Sequence, residues 1–308
     1  MVPLYNEEAC VRELITEIKK AMSGIDCAGY EVMLVDDCSR DRTLEVVGEL
    51  AETHPEIRCL ALSRNAGHQN ALCCGLENAT GDVIITLDGD LQHPPSLFPE
   101  MLKLWEEGAD VVNTIRRNSG SSSFAEKTFS KWFYRFFNRI AEVRLIPGSA
   151  DFRLLDRQCV DALNSMGEHF KFFRGQVPYI GFNQVDLPFD CPPRFAGVRS
   201  YTLRQSLRLA SNGIFSFSTI GLKLPFYFGT MVILIVFAYF VAAGVLHFSG
   251  KTEFKPGWLS LAALITLSMG LQMFFLGMYG LYLGKIFVEV KSRPGYFIRK
   301  KIGFREKD

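Results

Sequence analysis

Two aspartates stand two residues apart where an apolar run ends. Asp88 and Asp90 flank one glycine in TLDGDLQHPP (86–95), directly after the run VII (83–85). Such a run is typical of a buried strand, and buried strands seldom end in paired carboxylates. Carboxylate oxygens are the ligands that Mg²⁺ and Mn²⁺ prefer, and the side-chain carbonyl of Gln92 is a third candidate ligand. The spacing therefore indicates a metal site, and its alternative is a turn in which the aspartates accept backbone hydrogen bonds.

Strand and helix patterns alternate over the first 165 residues. Strands are predicted at 31–35, 57–62, 82–87 and 110–115, separated by apolar residues at helical spacing. This alternation predicts an α/β fold with a mainly parallel sheet and helices on both faces. Because ligands bind beyond the carboxyl ends of such strands, the aspartates at these ends should share one crevice. They are Asp36, Asp37, Asp88 and Asp90.

Two long stretches without charged side chains occur in the second half of the chain. Asp, Glu, Lys and Arg are absent from 224–250 and from 256–284. A helix of about 20 residues crosses the hydrocarbon core of a bilayer. The sequence therefore predicts two transmembrane helices, near 225–248 and 258–283, and the alternative is a pair of helices buried in a soluble core.

The residues that flank these stretches predict the topology. The short linker GKTEFKPG (250–257) makes the two helices a hairpin, and eight Lys or Arg follow Gly284 against three Asp or Glu. This positive charge marks the cytoplasmic side, so both termini are expected in the cytoplasm. The eight cysteines include no CxxC pair and no zinc-ligand spacing, which favours free thiols in a reducing compartment. The formal net charge of +1 gives no reason to expect a nucleic-acid partner.

A set of motifs along the chain resembles one enzyme family. The motifs are VPLYNEE (2–8), VDDCSRDRT (35–43), RNAGHQNAL (64–72), TLDGDLQHPP (86–95), ADFRLLDR (150–157), FFRGQVPYIGF (172–182), RFAGVRSY (194–201) and EVKSRPGY (289–296). In this order they resemble the inverting family 2 glycosyltransferases, which have the GT-A fold. Together with the two apolar stretches, the chain is similar to bacterial polyprenyl-phosphate glycosyltransferases related to dolichol-phosphate mannose synthase.

The resemblance implies four parts of the chain. They are a cytoplasmic GT-A catalytic domain (1–185), an amphipathic juxtamembrane segment (186–223), a transmembrane hairpin (224–285) and a basic cytoplasmic tail (286–308). The juxtamembrane segment would lie in the lipid headgroup layer, and its alternative is an ordinary solvated helix. The hairpin could also pack against a second copy of the chain through small residues, so a homo-oligomer is one expectation.

The resemblance also implies roles for individual residues. The nucleotide-sugar would be bound by Pro3, Tyr5, Glu7, Asp36, Asp37, Arg64 and Asp88. A divalent cation, Mg²⁺ or Mn²⁺, would be held by Asp88, Asp90 and Gln92. The acceptor phosphate would be bound by Arg117, Lys127, Ser130, Arg153 and Arg199, and the catalytic residues would be Asp90, Asp151 and Arg174. For each of these cations the alternative is an ordinary surface charge or ion pair.

Three further residues keep two interpretations each. Asp151 would act as a base or would orient an arginine, and the orienting role is favoured because a phosphate monoester is already ionised at pH 7. His68 and His93 flank the site in sequence, and a single histidine is more often structural than functional.

The reaction implied is transfer of a sugar from a nucleotide to polyprenyl phosphate at the inner face of a bacterial plasma membrane. Glucose from UDP-glucose is the first expectation, and 4-amino-arabinose, N-acetylhexosamine and mannose are alternatives. A processive polysaccharide synthase is disfavoured because the chain lacks a QxxRW motif and has few apolar stretches. A non-catalytic membrane-anchored regulator is the alternative of another class.

Overall fold

The computed structural model describes residues 1–117, 148–168, 171–191 and 257–304, together with single residues and short runs between 139 and 249. The chain forms two compact units. The first comprises Met1–Arg139, Val143–Arg208 and Arg293–Asp308, and the second comprises Ile140–Glu142 and Leu209–Ser292.

The first unit alternates strands and helices. Its strands are β1 (Val2–Leu4), β2 (Val32–Asp36), β3 (Ile57–Leu62), β4 (Val83–Thr86), β5 (Val111–Arg116), β6 (Ser149–Asp156), β7 (Gln184–Phe189) and β8 (Ile298–Ile302). Its helices are α1 (Val11–Met22), α2 (Thr43–Thr53), α3 (His68–Asn78), α4 (Phe98–Glu106), α5 (Arg157–Ser165) and α6 (Phe173–Tyr179). The four strands predicted from apolar runs correspond to β2 through β5, each within one residue at either end.

The strands form two four-stranded sheets. One has the order β1-β2-β3-β8 and the other has the order β4-β6-β5-β7. The backbone N–H of Leu87, just after β4, donates to the carbonyl oxygen of Met1, so β4 runs beside the start of β1. The carboxyl ends of β1, β2 and β3 point the same way because these strands are parallel.

The expectation of a mainly parallel sheet is corrected by these pairings. β8 is antiparallel to β3, and β6 is antiparallel to both β4 and β5, whereas β7 is parallel to β5. The sheets are therefore mixed. β6 and β8 enter beside strands that are distant in sequence, and local alternation of apolar runs carries no information about such long-range partners.

The two faces of the sheets are buried by different helices. Val32 and Leu34 of β2 belong to a cluster with α1, α2 and α4, whereas Met33 and Val35 belong to a cluster with α3, α5 and α6. This alternation follows from the two-residue period of a strand. Burying one such aliphatic side chain contributes about 1.5 to 3 kcal/mol, so the two clusters together hold the strand ends in place.

The second unit contains one long described helix, α7 (Trp258–Lys291). Within it, Leu267–Lys291 is long and apolar enough to cross a membrane, with a mean hydropathy of 1.4, and apart from Tyr282 its residues are exposed or half-buried. Among the described residues it is the single helix of this kind. The predicted helix at 225–248 is described only in fragments, and most of the predicted juxtamembrane segment, from 192 to 223, lies outside the described residues.

Two strands lie partly or wholly outside the bounds that the sequence predicts for the catalytic domain. β7 continues to Phe189, past the end predicted for the catalytic domain at residue 185. The basic tail contains β8, which pairs with β3, so the chain returns to the first unit after α7.

Replacement of Gly303 tests the docking of β8. Gly303 has a φ of +78°, and a Cβ there would collide with the backbone carbonyl of Ile57 at the start of β3. We expect Gly303→Ala to lower the free energy of unfolding by about 1 to 3 kcal/mol, because the residue would have to leave this conformation or strain it. Thermal unfolding of the detergent-solubilised chain measures the change.

Gly48→Ala is the matched control for that experiment. Gly48 lies in α2 with open space around its Cα, and its φ is not positive. An unfolding midpoint for Gly303→Ala as high as that of the Gly48 variant would contradict the close packing of β8.

Candidate active site

The aspartates at the end of β2 are buried and differ in their partners. The Asp37 carboxylate accepts hydrogen bonds from the backbone N–H groups of Ala66, at 2.6 Å, and Gly67, at 2.9 Å. Asp36 accepts from the backbone N–H of Ser39 at 3.2 and 3.3 Å. Burial raises the pKa of both carboxyl groups, and these hydrogen bonds oppose that effect in part. Asp37 therefore fixes the loop before α3, while Asp36 is bound only within its own turn by these bonds.

The turns after β1 and β2 are bound to each other. The backbone N–H of Asn6 donates to the Ser39 hydroxyl at 3.0 Å, and the N–H of Arg40 donates to the Asn6 side-chain oxygen at 2.8 Å. The backbone N–H of Glu7 donates to Thr43 Oγ1 at 2.9 Å. These bonds hold the PLYNEE segment, which includes the predicted donor residues, at the carboxyl edge of β2.

The aspartates after β4 lie against that same segment. A Cβ on Gly89 would come within 2.7 Å of Leu4 Cδ2, so a larger residue between Asp88 and Asp90 would have to displace the buried Leu4 side chain. Asp90 Oδ1 accepts from the backbone N–H of Gln92 at 3.2 Å. The predicted metal ligands and the predicted donor residues are thus brought to one edge of the sheets.

His68, the first residue of α3, lies between two carboxylates. Its Nε2 is 3.5 Å from Asp88 Oδ1 and 3.4 Å from Asp151 Oδ2. Burial disfavours the charged ring, but the hydrogen bond to Asp151 and the charges of both aspartates outweigh it and raise the pKa of His68. His68 therefore links the aspartate after β4 to the aspartate in β6.

Asp151 is the most strongly paired carboxylate of the site. Arg174 approaches it with two nitrogens, Nε at 3.3 Å from Oδ1 and Nη2 at 3.4 Å from Oδ2. Arg153 Nη2 is 3.6 Å from Oδ1 and donates to the Ala150 carbonyl oxygen at 2.9 Å. Although burial acts against ionisation, Arg174, His68 and Arg153 hold the pKa of Asp151 well below its ordinary value. Burial lowers the pKa of Arg153 to about 10, so both side chains remain charged at neutral pH.

A second histidine, His93, packs against the turn after β4. His93 is fully buried and stacks on Phe152, with ring centroids 5.1 Å apart. Its Nδ1 lies 3.0 Å from the backbone nitrogen of Asp88, and its Nε2 lies 2.9 Å from Arg116 Nη2. Burial lowers the pKa of His93, with the Asp88 charge opposing it and the Arg116 charge adding to it. A neutral imidazole accepts a hydrogen bond at one ring nitrogen only, so either the Asp88 N–H or the Arg116 guanidinium donates to the ring. The His93 ring lies between this arginine and the Asp88 turn.

Arg116 was missed by the sequence analysis, which named its neighbour Arg117. Arg117 is exposed, and its backbone N–H donates to the Phe189 carbonyl oxygen at 2.9 Å. Successive strand residues point to opposite faces, so the end of β5 directs one of the pair toward the site. Arg116 is the last residue of β5, and that position was the available signal.

The remaining predicted site residues are placed as follows. Tyr5 is exposed, and Arg64 is exposed with its Nη2 donating to the Gly295 carbonyl oxygen at 3.1 Å. Lys127, Ser130 and Arg199 lie outside the described residues.

Comparison with known proteins places this site in a family. The family model described as glycosyl transferase family 2 matches residues 1–161. The glycosyltransferase YkcC of Bacillus subtilis is 34% identical over 308 residues, covering 100% of this chain and 94% of that protein. The chain belongs to glycosyl transferase family 2. The resemblance found in the motifs is thereby confirmed at the level of the family.

Other family 2 relatives carry more specific names. The SfII prophage-derived bactoprenol glucosyl transferase of Shigella flexneri is 30% identical over 302 residues, covering 97% of this chain and 96% of that protein. The prophage bactoprenol glucosyl transferase homolog of Escherichia coli K12 is also 30% identical, covering 97% of each chain. Among solved structures, glucosyl-3-phosphoglycerate synthase from Mycobacterium tuberculosis, in complex with Mn²⁺, UDP and phosphoglyceric acid, has a TM-score of 0.48 and 16% identity and covers 70% of this chain and 74% of that one.

The family 2 site has an oxygen that fits a divalent cation. Within the described residues no group of three or more His, Cys, Asp or Glu side chains is arranged to hold a metal ion. Asp88 Oδ1 is nevertheless buried and has no hydrogen-bond partner among the described residues, and His68 Nε2 lies 3.5 Å from it. Mg²⁺ commonly takes one or two carboxylates and completes its shell with water and substrate phosphates. Asp88 and Asp90 fit that requirement.

Asp151→Asn tests the buried ion pairs. We expect the variant to lower the free energy of unfolding at pH 7 by roughly 3 to 5 kcal/mol, because Arg153 would stay buried without its counter-charge. A carboxyl group with a depressed pKa contributes stability above its unfolded pKa and loses that contribution as the pH falls through its folded pKa. The difference between the two proteins should therefore shrink in strong acid, which unfolding curves at several pH values measure.

Asp186→Asn, on an exposed position of β7, is the control for that comparison. If the Asp151 variant loses no more stability at pH 7 than this control, the pairing does not hold the site together.

Proposed function

We propose that this family 2 glycosyltransferase moves a sugar, glucose from UDP-glucose in the first instance, from a nucleotide to polyprenyl phosphate. The observation that carries the proposal is the meeting of a carboxylate pair with fixed arginines at one edge of the sheets. Asp88 and Asp90 form the pair, and Arg153 and Arg174 converge on Asp151 beside it. The names of the Shigella flexneri and Escherichia coli relatives support the lipid acceptor and the sugar.

The donor would occupy the edge formed by β1, β2 and β4. Asp36 is bonded within its own turn, to Ser39, whereas Asp37 is occupied by Ala66 and Gly67, so Asp36 would bind the base or ribose. Pro3, Tyr5 and Glu7 border the same edge, and Arg64 lies on the loop that Asp37 fixes. Asp88 and Asp90, with Gln92, would hold the divalent cation, which when bound neutralises charge on the departing diphosphate.

The acceptor needs cations more than it needs a base. A phosphate monoester is largely dianionic at pH 7, so its oxygen can attack the anomeric carbon without losing a proton, while the bond to the diphosphate breaks. Arginine forks match phosphate oxygens. Arg174, still 40% exposed, and Arg116 would receive the phosphate, whereas buried Arg153 and ionised Asp151 would hold Arg174 in position. This division of roles favours an orienting Asp151.

The lipid acceptor implies a membrane-bound enzyme. α7 carries the described stretch that can cross a bilayer, and its large apolar side chains are exposed, with Leu267 at 71% and Val290 at 77%. We extend the proposal to the whole hairpin of 224–285, the interfacial segment of 186–223 and a cytoplasmic placement of 1–185 and 286–308. The active site would then meet the lipid phosphate at the inner face of a bacterial plasma membrane, in a monomer or a homo-oligomer.

Label transfer in detergent tests the reaction. Undecaprenyl phosphate is incubated with radiolabelled UDP-glucose, UDP-N-acetylhexosamines, UDP-4-amino-arabinose or GDP-mannose, with Mn²⁺, with Mg²⁺ or with EDTA. We expect label in the lipid phase from UDP-glucose with either metal, and loss of it with EDTA and in Asp90→Ala. Asp186→Ala serves as the carboxylate control and should keep full activity.

The alternatives give distinct results in that assay. Lipid label from a different nucleotide-sugar alone would mean that the enzyme transfers that sugar, and not glucose, to the same acceptor. Nucleotide binding without lipid label from any donor would sink the transferase proposal and favour a regulator that retains the fold.

Arg174→Lys tests the cation that faces the acceptor. Lysine keeps the charge but loses the two-nitrogen approach to Asp151 and to a phosphate. We expect the KM for polyprenyl phosphate to rise roughly tenfold, the effect of one charged hydrogen bond, while the KM for the donor stays within twofold. Steady-state kinetics with each substrate varied in turn separates the two. A rise in the KM for the nucleotide-sugar alone would mean that Arg174 binds the donor and not the acceptor.

A further inference from the structure

The segment that follows α7 contacts the loop before α3 and the last turn of α3. The carbonyl oxygen of Gly295 accepts from Arg64 Nη2 at 3.1 Å, and the carbonyl oxygen of Phe297 accepts from the backbone N–H of Ser63 at 2.8 Å. The Tyr296 hydroxyl donates to Glu77 Oε2, one residue before α3 ends. These contacts all lie within the first unit, which includes residues 293–308. We call Gly295–Phe297 the clamp.

The contact of Gly295 with α3 is the tightest of the set. A Cβ on Gly295 would come within 2.6 Å of Asn70 Oδ1 and 3.2 Å of its Cγ. Asn70 is not free to swing away, because its Nδ2 donates to the Ala66 carbonyl oxygen at 2.8 Å. Moving this side chain therefore strains the loop that Asp37 holds through the N–H groups of Ala66 and Gly67.

The other end of α3 is tied through Glu77. Its two carboxylate oxygens accept from Tyr296 and from the Cys73 thiol, the latter at 2.9 Å. Burial and the hydrogen bond to Glu77 raise the pKa of Tyr296, so its hydroxyl stays protonated and remains a donor. The Tyr296 ring packs against the apolar cluster that contains Leu72 and Leu76 of α3.

These contacts matter because α3 begins with His68. His68 Nε2 lies 3.5 Å from Asp88 and 3.4 Å from Asp151, so its position depends on the axial placement and tilt of α3. Because a helix of 11 residues moves as a rigid body, contacts near both of its ends fix the position of its first residue.

We propose that the clamp is a positioning element of the active site, with Gly295 and Tyr296 holding α3 so that His68 bridges Asp88 and Asp151. The clamp acts through α3 and touches neither substrate. The inference rests on the proposed transfer reaction for its kinetic test, and it has a second test that needs no activity.

The kinetic test compares matched pairs in the full chain in detergent. We expect Gly295→Ala and Tyr296→Phe each to lower the kcat for sugar transfer by about tenfold, since small displacements of reacting groups are costly. The KM for the nucleotide-sugar should stay within about twofold. Gly48→Ala and Tyr30→Phe, on α2 and before β2, are the matched controls and should keep the wild-type kcat. A wild-type kcat in both clamp variants overturns the proposal. A loss of kcat that comes with weaker donor binding and a lower unfolding temperature also overturns it, because the variants would then be destabilised as a whole.

A double-mutant cycle checks that Gly295 acts on Asn70. In an Asn70→Ala background the side chain that the new Cβ would strike is gone. Gly295→Ala should then cost less than twofold, because coupled neighbours are not additive. A further tenfold loss in that background would mean that Gly295 acts elsewhere.

Hydrogen exchange separates this inference from the proposed function. The backbone amides of 68–78 should exchange faster in Gly295→Ala and Tyr296→Phe than in the two controls, whatever reaction the enzyme performs. If wild-type protein transfers no sugar, the proposed function fails while this result still decides whether the clamp holds α3. Unchanged exchange in α3 overturns the clamp even where transfer is active.

Discussion

A buried carboxylate surrounded by cations is the interaction on which the site depends. Taking Asp151 out of water costs several kcal/mol, and the charge stays only because Arg174, Arg153 and His68 approach it. Removing any one of these three cations leaves the carboxylate less compensated, so the group behaves as a unit. The arrangement fixes an arginine fork close to the carboxylates after β4.

That interaction exists because β6 runs against its neighbours. Thr86 at the end of β4 pairs with Arg153, and the Thr86 hydroxyl donates to the Asp151 carbonyl oxygen at 2.6 Å. An antiparallel β6 brings its first residues to the edge where β4 and β5 end, and Asp151 and Arg153 share one face because they are two residues apart. A parallel strand in the same place would carry these side chains to the opposite edge of the sheet.

The return of the chain after α7 adds a second long-range constraint. β8 closes the edge of the sheet beside β3, with Ile298 opposite Leu62, and the clamp before it contacts the loop that Asp37 fixes. The end of the chain thus supports the same loop that the start of α3 depends on. The loop before α3 is held through Asp37, and the first turn of α3 packs closely against Gly295.

The sequence by itself determined the parts that local patterns encode. Apolar runs located β2 through β5 because a buried strand needs consecutive apolar residues, and the aspartates at their ends followed from the parallel rule. The motif order identified the family. Tertiary structure decided the rest: β6 and β8 choose partners far along the chain, Arg116 rather than Arg117 meets His93, and His68 lies between Asp88 and Asp151. These outcomes depend on strand direction and on packing between distant segments, and neither is written in the spacing of neighbouring residues.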